Sequence, residues 1–129
     1  MLMKEAIEIL VIDDESEARR TIVEMLKMAG FSATSVSSGA EALEYLRGHQ
    51  IDLVICDVIM PGMDGFAVLK GIKIDFPDIK VVLITGSGDA EAIRKAFLMG
   101  ADEFITKPFD AQELSLVVER VCWHLTPES

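Results

Sequence analysis

Five short apolar runs, each followed by an amphipathic stretch, constrain this chain more than any other feature. The runs are residues 7–12, 31–36, 53–56, 81–84 and 103–105. They are rich in β-branched residues, which fit a pleated, packed surface better than a helix. The first, third and fourth are nearly all apolar, as in strands buried on both faces of a parallel sheet. The stretches between them carry a helical period and helix ends. Ala18, Ile22, Met25, Leu26 and Ala29 share one helical face, and Gly30 can close that helix in the left-handed conformation. Ser38 and Glu41 have the spacing of a capping box, and Gly48 can end the helix they begin. Asp64 and Asp89 can cap a third and a fourth helix. Asp110 with Glu113 opens a fifth, whose stripe is Leu114, Val117, Val118, Val121 and Leu125. Leu116 and Trp123 lie off that stripe and form a second apolar edge. That edge is either partly buried or a surface for a second copy, a partner or a following domain.

Strands that alternate with helices are joined by right-handed crossovers and build a doubly wound α/β sheet. Five such units predict the flavodoxin-like strand order 2-1-3-4-5, with helices on both faces. At 129 residues the chain is expected to be one domain, with its core from about residue 5 to 124. Half of its residues are hydrophobic, enough for a substantial core. Cys56 and Cys122 offer at most one disulfide, so both read as reduced thiols and the protein as cytoplasmic. The early apolar run contains Glu8 and stops at two aspartates, which suits neither a membrane helix nor a signal peptide. A net charge of −10, from 12 basic and 22 acidic residues, repels nucleic acid and anionic lipid. Neither direct nucleic-acid binding nor membrane association is expected of this domain.

Polar residues gather at the carboxyl ends of the strands, where ligands bind in such sheets. Asp13 and Asp14 follow the first strand, Asp57 ends the third, Thr85 ends the fourth and Lys107 follows the fifth. The predicted order puts the three aspartates in one crevice, where their charges oppose one another. A hard divalent cation such as Mg²⁺ removes that conflict and keeps coordination positions for phosphate oxygens. An aspartate can accept a phosphoryl group covalently. Asp57 stands alone before a turn with Pro61 and Gly62, which suits an acceptor, whereas the adjacent Asp13 and Asp14 suit metal holding. The Thr85 hydroxyl and Lys107 ammonium can stabilise the transferring oxygens.

Asp13 and Asp14, Asp57 followed by Met60, Pro61, Gly62, Met63, Asp64 and Gly65, then Thr85 and Gly86, then Lys107, Pro108 and Phe109, resemble the receiver domain of bacterial response regulators. The resemblance covers nearly the whole chain. It implies Asp57 as phosphoacceptor, with a sensor histidine kinase or histidine phosphotransfer protein as donor. It implies Mg²⁺ bound by Asp14 and Asp57 directly, by Asp13 largely through water, and by the main-chain carbonyl of Ile59. Thr85 and Phe104 match the family's switch pair, and the Lys107–Pro108 bond is expected to be cis. Phosphorylation would change the surface of the fourth helix, fifth strand and fifth helix. That surface would meet an effector domain or target protein, and can pair two copies of the chain. No enzymatic turnover is expected beyond the chain's own phosphorylation and dephosphorylation. Two features depart from the family's usual pattern. Ile59 is apolar where many members carry a polar side chain, and is expected to slow attack by water. Phe104 has no hydroxyl, so its switching would rest on packing.

Other functions fit less well. A phosphorylation-independent, receiver-like interaction module would not need the full set of acids, Thr85 and Lys107. An aspartate-nucleophile phosphatase needs a second acid two residues on, where this chain has Ile59. A flavin carrier would have Asp13 and Asp14 repelling the flavin phosphate. Residues 86–88 are glycine-rich but follow the fourth strand and lack the third glycine of a dinucleotide fingerprint. His49 and His124 have no ligand-like neighbours in sequence and read as surface or helix-end residues.

Overall fold

The computed structural model describes residues 6–86 and 88–123. In chain order the elements are β1 (Glu8–Ile12), α1 (Ser16–Met28), β2 (Ser32–Val36), α2 (Gly39–Gly48), β3 (Leu53–Asp57), α3 (Gly65–Asp75), β4 (Lys80–Thr85), α4 (Ala90–Leu98), β5 (Glu103–Thr106) and α5 (Ala111–Val121). The strands form one parallel sheet in the order β2-β1-β3-β4-β5, as the alternation predicted. Winding reverses between β1 and β3, which opens a crevice at their carboxyl ends.

Successive strand residues face opposite ways, so the sheet serves two cores. On one side Leu10, Ile12, Val54, Cys56, Val81 and Leu83 pack with residues of α2 and α3, including Leu46, Leu69 and Ile72. On the other, Ile9, Val11, Ile55, Val82 and Ile84 pack with Ile22 and Leu26 of α1 and Leu114, Val117 and Val118 of α5. Each such side chain contributes about 1.5–3 kcal/mol by leaving water. Between their polar end residues the central strands β1, β3 and β4 are therefore apolar on both faces, while every residue of the edge strand β2 is only partly buried. Cys56 and Cys122 are free, buried and in opposite cores, so the sheet lies between them. Burial raises the Cys56 thiol pKa far above its usual value and pushes Cys122 up to about 11.

Four helix starts are fixed by the expected side chains. Ser38 Oγ accepts from the Glu41 amide at 3.1 Å, and a carboxylate oxygen accepts in the same way at Asp64 (2.9 Å), Asp89 (2.7 Å) and Asp110 (2.7 Å). Each such cap stabilises its helix by about 1 kcal/mol. The capping box at α2 differs from the expected form in one arm. The Glu41 carboxylate reaches back to the amide and hydroxyl of Ser37, one residue before the cap. Gly30 closes α1 with φ +98, a conformation open to glycine at little cost.

Leu116 and Trp123 are more exposed than partial burial would leave them, at 54% and 59%. His49 is exposed beside the end of α2, with its ring stacked on Tyr45 at 3.8 Å. His124 and Leu125 lie outside the described residues, as does Ser87 of the glycine-rich loop. No helix among the described residues is long and apolar enough to cross a membrane.

Candidate functional site

The sheet register delivers the site residues to one edge. Ile12 is paired with Cys56, so Asp13 and Asp57 leave the sheet side by side. Asp57 is paired with Ile84 and Thr85 with Thr106, so Thr85 and Lys107 each follow one residue further along. Main-chain bonds continue the ladder past the strand ends. Val58 donates to Ile84 O at 2.8 Å, and Lys107 donates to Thr85 O at 2.8 Å. The Lys107–Pro108 bond is cis, as the resemblance implied.

Asp57 is held on both carboxylate oxygens. Lys107 Nζ donates to Oδ2 at 3.2 Å, and the Ile59 amide donates to Oδ1 at 3.0 Å. Its side chain is 12% exposed, open enough for a reaction at the crevice mouth. The Ile59 side chain is solvent-exposed beside it. Gly65 sits against the acceptor from behind. A Cβ there would stand 2.5 Å from the Asp57 carbonyl oxygen and 2.7 Å from the Val58 Cα. Side-chain-free backbone at the start of α3 is therefore what lets β3 and α3 approach so closely.

Asp13 is nearly inaccessible, at 1% exposure. Its Oδ1 accepts from the Glu15 amide at 2.9 Å, and its main-chain oxygen accepts from Arg19 Nη1 at 2.8 Å. Burial raises its carboxyl pKa, against the lowering effect of the Glu15 amide; the charges of Asp57 and Asp14 raise it further, and Lys107 lowers it. Asp14 is exposed at the rim. Thr85 is buried at 2% exposure, and Phe104, paired with Leu83 across the ladder, is partly buried against the core on the α2–α3 side.

A cation would resolve two features of this arrangement. Asp13 Oδ2 is buried with no hydrogen-bond partner, a state that costs about 1–3 kcal/mol. The Asp13, Asp14 and Asp57 charges also oppose one another, and oxygen donors of this kind suit Mg²⁺. The fit is not a finished cage. Among the described residues no three His, Cys, Asp or Glu side chains already stand as a metal-holding group, and Lys107 occupies Asp57 Oδ2.

Asp13, Asp57 and Lys107 are thus brought into one electrostatic cluster, with Thr85 beside them in the ladder and Asp14 at the rim. Sequence reasoning missed Arg19, and it named Gly65 within the motif without giving it a role. Arg19 lies six residues beyond its partner, a spacing with no local signature. Gly65 directly follows the cap Asp64, where glycine is unfavourable for a helix, and that mismatch was a readable signal.

The model of the response regulator receiver domain matches residues 9–119. The DNA-binding transcriptional regulator NtrC of Escherichia coli is 40% identical over 114 residues, which is 88% of this chain and 24% of that protein. The C4-dicarboxylate transport transcriptional regulatory protein DctD of Rhizobium meliloti is 39% identical over 87% of this chain and 24% of its own length. The chain therefore spans about a quarter of these curated relatives. Among solved structures, a response regulator receiver domain protein from Clostridium thermocellum superposes with a TM-score of 0.86 at 35% identity, covering 92% of this chain and 96% of that one. NtrX of Brucella abortus superposes with a TM-score of 0.84 at 33% identity, over 96% of this chain and 27% of NtrX.

Proposed function

Because this chain belongs to the response regulator receiver domain family, we propose that it accepts a phosphoryl group on Asp57 from a sensor histidine kinase or a histidine phosphotransfer protein, with Mg²⁺ as cofactor. The observation that carries this reading is the Lys107 ammonium 3.2 Å from Asp57 Oδ2, beside the unpartnered Oδ2 of Asp13. Mg²⁺, held by Asp13, Asp14, Asp57 and the Ile59 carbonyl, would neutralise the carboxylates facing an incoming phosphoryl group.

The chain's own residues do the remainder. An Asp57 carboxylate oxygen forms the new bond to phosphorus as the donor's nitrogen–phosphorus bond breaks, and the freed imidazole takes up a proton. Lys107, already at Asp57, shifts to a phosphoryl oxygen and offsets its charge. The Thr85 hydroxyl donates to a second phosphoryl oxygen. Its movement frees space beside β4 into which Phe104 turns. Signal then passes to α4, β5 and α5, which carry exposed Phe97, Leu98 and Leu116. Exposed apolar side chains there suit docking of an effector domain, a target protein or a second copy. Such a domain acts in the cytoplasm, where its donors present phosphohistidine, and turns over no external substrate.

Incubation with acetyl phosphate and Mg²⁺, followed by intact-mass measurement, tests this reading. The parent should gain about 80 Da, one phosphoryl group. Asp57→Asn or excess EDTA should abolish the gain. An Asp57→Asn protein that gained the adduct as readily would overturn the assignment. A parent that gained none would favour the phosphorylation-independent interaction module.

A further inference from the structure

Asp13 has four polar atoms that the fold must place, and three are tied down. Its amide donates to Val36 O at 3.4 Å, Oδ1 accepts from the Glu15 amide, and the main-chain oxygen accepts from Arg19 Nη1 at 2.8 Å. Only Oδ2 is left without a partner. Two of the three ties are backbone-to-backbone or local to the turn. The third is made by a side chain arriving from α1, and it fixes the peptide plane that joins Asp13 to Asp14. Arg19 is half-buried, and its charge also attracts Glu41, whose carboxylate is bonded to Ser37. The guanidinium thus ties α1 to the loop after β1.

We propose that Arg19 is a positioning residue that orients Asp13 and Asp14 toward a divalent cation. This inference rests on reading the site as a Mg²⁺-assisted phosphoryl acceptor. Charge and geometry predict opposite signs for its removal. By Coulomb's law alone, deleting a cation bonded to the Asp13 main chain would tighten Mg²⁺ binding. As a brace, Arg19 holds the ligands in place, and its loss weakens binding. Partners that orient metal ligands are worth about 10- to 100-fold in affinity, and one hydrogen bond to a main-chain oxygen belongs near the low end.

Isothermal titration of the phosphate-free chain with MgCl₂ alone tests this. Arg19→Ala should bind Mg²⁺ about tenfold more weakly than the parent. Arg19→Lys, which keeps a donor and the charge, should recover most of that loss. Arg20→Ala, which removes the same charge from the next position on α1, should bind at least as tightly as the parent. The Asp14 amide nitrogen resonance, which reports hydrogen bonding at the preceding carbonyl, should move in Arg19→Ala and not in Arg20→Ala. Equal or tighter binding by a folded Arg19→Ala overturns the proposal. If that variant does not fold, Arg19→Lys binding as weakly as Arg19→Gln overturns it instead. A parent that binds no Mg²⁺ overturns the functional reading and this inference together, whereas normal parental binding with an unaffected Arg19→Ala overturns this inference alone.

Discussion

Gly65→Ala probes the packing that holds the acceptor in place. The added methyl would stand 2.5 Å from the Asp57 carbonyl oxygen and 2.7 Å from the Val58 Cα. Ordinary contacts between carbon atoms begin near ~3.5 Å, so roughly an ångström must be found. Both neighbours are main chain, and Val58 is pinned: it donates to Ile84 O and accepts from the Gly65 amide, each at 2.8 Å. No rotamer change can absorb the clash. Overpacking of this kind costs about 1–3 kcal/mol, and the better helix propensity of alanine returns less than about 1 kcal/mol. A net loss of about 1–2 kcal/mol should lower Tm by roughly 4–8 °C in a domain of this size. Displacing Asp57 by even part of an ångström should slow phosphorylation by acetyl phosphate, with about 100-fold as the scale for a full ångström. Gly48→Ala is the matched control, since nothing lies within 4 Å of the Cβ it would add. It should be neutral or stabilising by up to about 1 kcal/mol. Thermal melts and adduct formation followed by intact mass read both effects. A Gly65→Ala protein that melts with the parent and phosphorylates at the parental rate would refute the close-approach reasoning.

Two further outcomes follow from the site and its surroundings. Ile59→Asn replaces an exposed apolar side chain beside Asp57 with one that can hold water, so its adduct should decay faster once acetyl phosphate is removed; about 1 kcal/mol off the barrier would be roughly fivefold. Faster decay in the parent would contradict the shielding role. The Glu41 carboxyl pKa is held below its usual 4.5 by the amide and then the hydroxyl of Ser37. A lowered folded-state pKa adds stability that is complete above the unfolded value and disappears as pH falls through the folded one. The urea midpoint gap between parent and Glu41→Gln should therefore be steady near neutral pH and close below pH 4.5, and a gap that persists in acid would exclude this linkage.

Strand order and strand-end residues were legible because a parallel sheet leaves few choices. Apolar runs fix which segments lie in the middle, and the crossover rule then fixes their neighbours. Asp13, Asp57, Thr85 and Lys107 each follow or end such a run, so their convergence needed no side-chain knowledge. Arg19 was not legible, because its partner is a main-chain oxygen whose direction depends on how α1 leaves the loop. The Ser37 arm of Glu41 was missed for a related reason: capping spacing gives the distance along the chain, not which of two adjacent amides points inward. The exposure of Leu116 was also beyond reach, since a residue beside an apolar stripe is buried only if another element covers it, and nothing local records that.

Burial also indicates which element a phosphoryl group at Asp57 could move. The stabilisation available is limited. Charge-assisted hydrogen bonds from Lys107 and Thr85 to the phosphoryl oxygens would supply about 1.5–3 kcal/mol each, comparable with the ~5.5 kcal/mol that takes a two-state equilibrium from 1:99 to 99:1. Helix α3 buries Val68, Leu69 and Ile72, and α5 buries Leu114, Val117 and Val118. Undocking either would cost as much as those bonds provide or more, at about 1.5–3 kcal/mol per side chain. Helix α4 buries only Ala96, with Lys95 resting 4.4 Å from the centre of the Phe66 ring. It is also the next helix along the chain from Thr85, the strand end that the phosphoryl group would pull. The cheapest response is therefore a shift of α4 against β5, and removing the Lys95–Phe66 contact would lower its cost further.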